Sequence, residues 1–305
     1  MPTDDELKLA SQHKSINLPI TVQQEIIKTV LKTIIIADQK LRDNVKDITS
    51  LANLIISNNK YLDAEYSYAS LIYNGYGGLP QNPFDAMEIY KKLAKMAHPA
   101  SQYALATIYA DQLNDYKTAI ELYNLAGNNG LAKAWTNLGL LYQKGLGVEK
   151  DKNKAIEYFT KGADADERSS HFMLGVYYNF PDNTHKKTNY VKALKHYEIA
   201  ASLGLPEAQY NLGKLFLDGK RGIIKKNQNF AMEYWKMSAF NGHQAAQMNL
   251  AIIYHKGIGI KKNLRLAKDY YIRASKKEGQ LALDAIENLK KLENELENEL
   301  ENESI

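Results

Sequence analysis

The chain has 305 residues, 45% hydrophobic and 24% charged, so it carries enough apolar material for a core and is not disordered overall. It contains no cysteine, which excludes a disulfide framework, a thiolate metal site and a cysteine nucleophile. The formal charge of +4 hides an asymmetry: residues 293–303 (ENELENELENE) hold six glutamates and no Lys or Arg, and without them the chain stands at +10. Such a basic body suits an anionic partner (RNA, an acidic protein or a membrane surface), or is an ordinary solvated surface.

Residues 1–16 read as a mobile tail. The start MPTDDELK matches neither a secretory signal nor an Arg-rich, acid-poor transit peptide. The longest compact apolar run, Ile34-Ile35-Ile36-Ala37, falls far short of the roughly 20 residues a membrane span needs, so no membrane span and an intracellular location are expected. Residues 17–60 read as an N-terminal helical cap. Thr21 and Gln24 make a capping box, and Ile26, Ile27, Val30, Leu31, Ile34 and Ile35 form one helical stripe. Leu41, Val45, Ile48, Leu51 and Ile55 form a second. The alternative for this wide apolar stripe is a dimer seam.

From residue 61 to 279 two motifs alternate six times. Tyr73, Tyr109, Tyr142, Tyr178, Phe216 and Tyr254 each follow, four residues on, Ala69, Leu105, Leu138, Leu174, Leu212 or Leu250, with a small residue just after the aliphatic one. Aliphatic and aromatic then share a helix face, and the small residue lets another helix approach. In the second motif Ala86, Ala119, Ala155, Ala193, Ala231 and Ala267 precede, by four, Tyr90, Tyr123, Phe159, Tyr197, Trp235 and Tyr271. Four residues before each of these alanines stands Asn82, Asp115, Asp151, Asn189, Asn227 or Asn263, all favoured helix N-caps. The step from a cap to the next repeat's aromatic is 27 residues every time, whereas the step from an aromatic to its own cap varies from 6 to 11. Length therefore varies only in the loop within a helix pair. The fixed stretch between pairs is what a helical solenoid needs, because each unit packs on its neighbours.

Segments such as AWTNLGLLYQKGLGVEKDKNKAIEYFTKGA (134–163) and AQMNLAIIYHKGIGIKKNLRLAKDYYIRAS (246–275), with the loops Gly145-Leu146-Gly147-Val148 and Gly257-Ile258-Gly259-Ile260, resemble the Sel-one-like repeat family, relatives of the tetratricopeptide repeats. The resemblance implies an all-α fold, a right-handed α-solenoid of antiparallel helix pairs, with helical caps at both ends. It also implies a non-enzymatic protein-protein interaction scaffold or adaptor that binds a partner segment and aids assembly or regulation of a larger complex.

Residues 280–305 read as a C-terminal capping helix and acidic tail. Continuing the repeat register puts Ile286 at the buried Leu position and Ala282 at the motif alanine, with Glu287 and Lys290 in the small and aromatic slots. Leu292, Leu296 and Leu300, spaced by four, drift around a helix and predict a frayed acidic end, or alternatively an interaction tail.

No nucleophile elbow, Walker loop or zinc-protease helix motif occurs, and no cofactor or metal site is expected. Gly75-Tyr76-Gly77-Gly78 and Gly219-Lys220-Arg221-Gly222 follow helices and read as turns, not phosphate loops. The resemblance implies that the first helices line the concave face, and the candidate binding residues there are Asn137, Asn211 and Asn249, each just before the motif Leu, with Lys144, Lys214 and Lys256 beyond them and Asp218 in the same row. They would grip a protein or peptide segment by hydrogen bonds and charge; alternatively the asparagines bond a neighbouring turn and stabilise the stack. A second reading is an RNA-binding helical repeat that uses Lys186-Lys187, Lys220-Arg221, Lys225-Lys226 and Lys261-Lys262, although these cluster at a rim.

Overall fold

The computed structural model describes residues 61–75, 80–180, 188–220 and 222–303. The N-terminal tail and cap expected over 1–60, Gly77, Gly78 and the Lys186-Lys187 pair lie outside the described residues, as does Arg221. The first helices of the repeats are α1 (Tyr61–Asn74), α3 (Pro99–Asp111), α5 (Lys133–Lys144), α7 (Arg168–Asn179), α9 (Pro206–Asp218) and α11 (Gln244–Lys256). Between them run the second helices α2 (Pro83–Lys95), α4 (Tyr116–Asn128), α6 (Lys152–Asp164), α8 (Tyr190–Ser202), α10 (Gln228–Phe240) and α12 (Leu264–Ser275), and α13 (Gln280–Glu303) closes the series. Among the described residues β-type pairing is confined to an isolated bridge, Lys220 to Ile224. No helix among them is long and apolar enough to cross a membrane. The chain forms two compact units that divide after Ala155, inside α6.

The six acidic or amide residues before the second helices all act as caps. Asn82, Asp115, Asp151, Asn189, Asn227 and Asn263 accept, through a side-chain oxygen, the backbone N–H of Asp85, Thr118, Lys154, Lys192, Phe230 and Leu266. Their own N–H groups reach back to the first helix. Asp115, Asp151, Asn189, Asn227 and Asn263 donate to the carbonyls of the motif aromatics Tyr109, Tyr142, Tyr178, Phe216 and Tyr254, at 2.8–3.0 Å. This pair of bonds closes those five loops at the same two points, which is why loop length can vary without moving the helices; in the first repeat the Asn82 N–H goes instead to the Ile72 carbonyl, at 2.7 Å. Asn227→Ala is expected to destabilise the fold by about 1 kcal/mol, read as a lower denaturation midpoint; an unchanged midpoint would show that the cap contributes nothing.

The turns from second to first helices have a common geometry as well. Gly130, Gly204 and Gly242 take positive φ there, and Ala97 and Asp166 hold the same conformation at φ of 59° and 53°, a strained one for a residue with a Cβ. Just beyond three of these turns, Gln102, Gln209 and Gln247 donate their side-chain amides to the carbonyls of Ala94, Ala201 and Ala239, each at 3.1 Å. Asn129 and Asn241, at the ends of α4 and α10, donate in turn to the amide oxygens of Gln102 and Gln209. In the last repeat Lys277 stands in place of that Asn and bonds the Gly242 carbonyl instead, leaving the Gln247 oxygen buried and unpartnered. These relays tie a first helix to the preceding second helix and help to fix the constant spacing.

The core follows the two motifs. In the first unit Tyr68, Ile72, Ala86, Tyr90, Leu93, Leu105 and Ile108 form one buried cluster. In the second unit Leu212 is fully buried among Ala193, Tyr197 and Ala201 of α8 and Ala208 and Leu215 of its own helix. The small residue after the motif Leu is a landing place for an aromatic ring. A Cβ on Gly175 would lie 2.6 Å from the Tyr197 ring, and one on Gly213 would collide with Trp235.

The closing helix departs from the extrapolated register. Ile286 is 40% exposed, while Ala282, Ala285 and Leu292 are buried and Leu289 and Leu296 pack beside them. With Glu287 and Lys290 in the small and aromatic slots, the motif face carries charge where the repeats bury a small residue and a ring. The helix instead turns its stripe of Ala282, Ala285, Leu289, Leu292 and Leu296 toward α11 and α12. Nor is it frayed at Leu292: that side chain has no exposed surface, Glu293 pairs with Lys268, and Glu295 bonds both His255 and Lys262 at 3.0 Å.

Candidate partner-binding face

In the first unit, α5 carries Asn137 and Lys144. Asn137 is half-buried and donates to the Tyr103 hydroxyl at 3.1 Å, beside the hydroxyl of Tyr123. The Tyr103 and Tyr123 rings lie 5.4 Å apart, and the Lys133 ammonium sits 5.3 Å above Tyr103. Lys144 is exposed, and together with Asn137, Asp111, Asn114 and Tyr116 it borders an open pocket of about 400 Å³.

In the second unit, Asn211 is half-buried beside the Tyr197 phenol, which has no exposed surface. Burial pushes that phenol up to about 12, with Asn211 and Asn179 pulling the other way, but its oxygen makes no hydrogen bond of normal geometry. Lys214 is exposed, 5.9 Å from the centre of the Tyr210 ring. Tyr210 stacks on Trp235 and on His243, and its carbonyl accepts the Trp235 indole N–H at 3.1 Å. Asn249 is half-buried and makes no side-chain hydrogen bond among the described residues. Lys256 is exposed at the end of α11, over a pocket of about 460 Å³ shared with His255, Lys262, Asn288, Lys291 and Glu295. Asp218 is exposed at the end of α9.

The row read from the sequence therefore has two kinds of member. Asn137 and Asn211 face tyrosine hydroxyls in the seam between helices, while Asn249 and the three lysines retain free polar groups toward solvent. Within each unit these groups can hydrogen-bond a backbone and pair with carboxylates. Among the described residues no group of three or more His, Cys, Asp and Glu side chains is placed to hold a metal ion.

A histidine pair escaped the sequence reading. His171 of α7 and His196 of α8 meet Nδ1 to Nδ1 at 3.0 Å, so one ring donates and the other accepts, and His196 stacks on Tyr178. Desolvation holds His171 and His243 below the usual histidine range and pulls His196 down to about 4, with the His171 charge adding to the effect at His196. His243 is also an N-cap, because its Nδ1 accepts the Ala246 N–H and must be unprotonated to do so. Since the unfolded rings titrate near 6.5, the unfolded chain binds more protons than the fold below that pH. This stability is fully present above about pH 6.5 and is lost as pH falls toward 4. Partial exposure of His196 limits its share to about 1 kcal/mol, or about 2–4 °C in Tm. Thermal melts at pH 7 and pH 5 should show that drop, smaller in His196→Gln; equal Tm values at the two pH values would refute it.

Alternating helix pairs, a shared cap-to-carbonyl closure and aromatic rings landing on small residues define an α-solenoid repeat protein. The Sel1 repeat model matches residues 62–98, 99–131, 132–167, 168–205, 206–243 and 244–278. The chain belongs to the Sel1 repeat family. It is 26% identical over 208 residues to the chitin synthase regulator SKT5 of Saccharomyces cerevisiae, covering 65% of this chain and 30% of that protein. It is 26% identical over 179 residues to the DAP3-binding cell death enhancer 1 of Rattus norvegicus, covering 59% of this chain and 34% of that one. The chain thus spans about a third of the length of these curated relatives. Among solved structures, a Sel1 repeat protein from Oxalobacter formigenes superposes with a TM-score of 0.64 at 28% identity, over 71% of this chain and 88% of the other.

Proposed function

We propose that the chain is a non-catalytic scaffold or adaptor that binds a protein segment along the face of its first helices, aiding assembly or regulation of a larger complex. The observation that carries this reading is the set of polar groups on the first helices that make no hydrogen bond or ion pair among the described residues: Lys144 in the first unit, and Asn249, Lys214 and Lys256 in the second. The names of two relatives, a regulator of an enzyme and a binding protein, agree with it. Asn137 and Asn211 serve the stack first, through Tyr103, Tyr123 and Tyr197, and reach a ligand only with their remaining hydrogen-bonding capacity.

Affinity capture from the native source with the Asn249→Ala, Lys256→Ala double variant tests this reading. Capture should fall while Tm stays within about 2 °C of wild type, because neither side chain is buried in the core. Unchanged capture would remove these residues from the binding face. The RNA reading predicts instead a steep loss of binding with salt.

A further inference from the structure

Repeats five and six share a surface feature at corresponding positions. Each has a loop in which an exposed aliphatic tip is followed by a lysine pair and the cap Asn: Ile223, Lys225, Lys226 and Asn227 in one, Ile258, Lys261, Lys262 and Asn263 in the other. Ile223 is 51% exposed and Ile258 47%. Three residues after each cap, at the position whose N–H the cap accepts, stand Phe230 and Leu266, also exposed at 54% and 38%. In the other four repeats that position holds Asp85, Thr118, Lys154 and Lys192, as a solvated first turn ordinarily would. The third repeat's loop carries Glu149 and Asp151 where these loops carry Lys and Asn.

The residues named in repeats five and six lie in the second unit, at the edge where first helices end and second helices begin. The lysines there are available. Lys225, Lys226 and Lys261 are exposed, with no ion-pair partner among the described residues, whereas Lys262 is engaged by Glu295 and Lys268 by Glu293. Val191, in the first turn of α8, is likewise exposed, at 63%.

We infer that this loop edge of repeats five and six docks on an anionic lipid bilayer, with Ile223, Ile258, Phe230 and Leu266 entering the interface and Lys225, Lys226 and Lys261 facing the headgroups. Four apolar tips alternating with free cations, repeated one helix pair apart (about 10 Å), form the amphipathic array that an acidic interface accepts. An RNA backbone would satisfy the lysines but leave the aliphatic tips in water. The inference goes beyond the scaffold reading and does not depend on it, since it uses none of the same residues.

The test is co-sedimentation of the full chain with phosphatidylcholine vesicles, with and without about 30 mol% phosphatidylserine. Wild type should bind the serine-containing vesicles and not the neutral ones. Lys225→Glu with Lys261→Glu, and separately Ile223→Ser with Ile258→Ser, should each weaken binding about tenfold or more. Phe230→Ser gives an independent apolar variant, and melts of all variants establish that they are folded. Equal binding to both vesicle types would overturn the proposal. So would an unchanged apolar variant, which would reduce the effect to surface adsorption, or retention by homopolymer RNA with the vesicles left unbound.

Discussion

Trp235→Ala is expected to destabilise the second unit by about 3–5 kcal/mol, the largest single effect of any substitution considered for this chain. The indole is 3% exposed, lies on Gly213, stacks on Tyr210 and packs with Met232, Ala239, Ala246, Leu250 and Ile253. It therefore joins α9, α10 and α11 at one point. Truncation leaves a cavity and also strips the Tyr210 carbonyl of its indole donor. A urea titration followed by circular dichroism measures the change. A loss below about 1 kcal/mol would mean that the site collapses freely and that the ring-on-glycine contact is not what sets the helix spacing.

Leu212→Ala should cost about 2–5 kcal/mol, because the side chain is enclosed and its neighbours, Ala193, Tyr197, Ala201 and Ala208, are too small or too rigid to refill the space. The matched control is Leu217→Ala on the same helix. Leu217 is 40% exposed, and its loss should stay within about 0.5 kcal/mol. Equal midpoints for the two variants would contradict the repeat register.

That register was legible in the sequence because it rests on local chemistry. A cap residue must sit before its helix, and Leu, small residue and aromatic must share a face, so six repetitions align without any tertiary information. Extrapolation failed at Ile286 because counting residues preserves position but not shape. With Glu287 and Lys290 beside it, burying the alanine and leucine stripe leaves less polar surface in the core. Gln102, Gln209 and Gln247 each stand three residues before a motif Leu, a recurrence that could have been noticed. The His171–His196 contact has no such sequence signal, since it depends on how α7 and α8 pack.

The candidate site was legible only in part. Its residues fall on one helix type because their offset from the motif Leu is constant. Whether an asparagine there is free depends on its neighbour: Tyr103 occupies Asn137, Tyr197 borders Asn211, and Asn249 has no such partner. The difference arises from residues in other helices, Tyr103 being 34 positions from Asn137 and Tyr197 14 from Asn211.

The proposed binding face is tested most directly by site-specific photo-cross-linking in the native source, with the photoreactive residue placed in turn at Asn249, Lys214 and, as a control on a second helix, Lys195. The scaffold account predicts one discrete protein adduct from Asn249 and Lys214 and none from Lys195. Adducts from Lys195 alone, or the same pattern from all three positions, would contradict it.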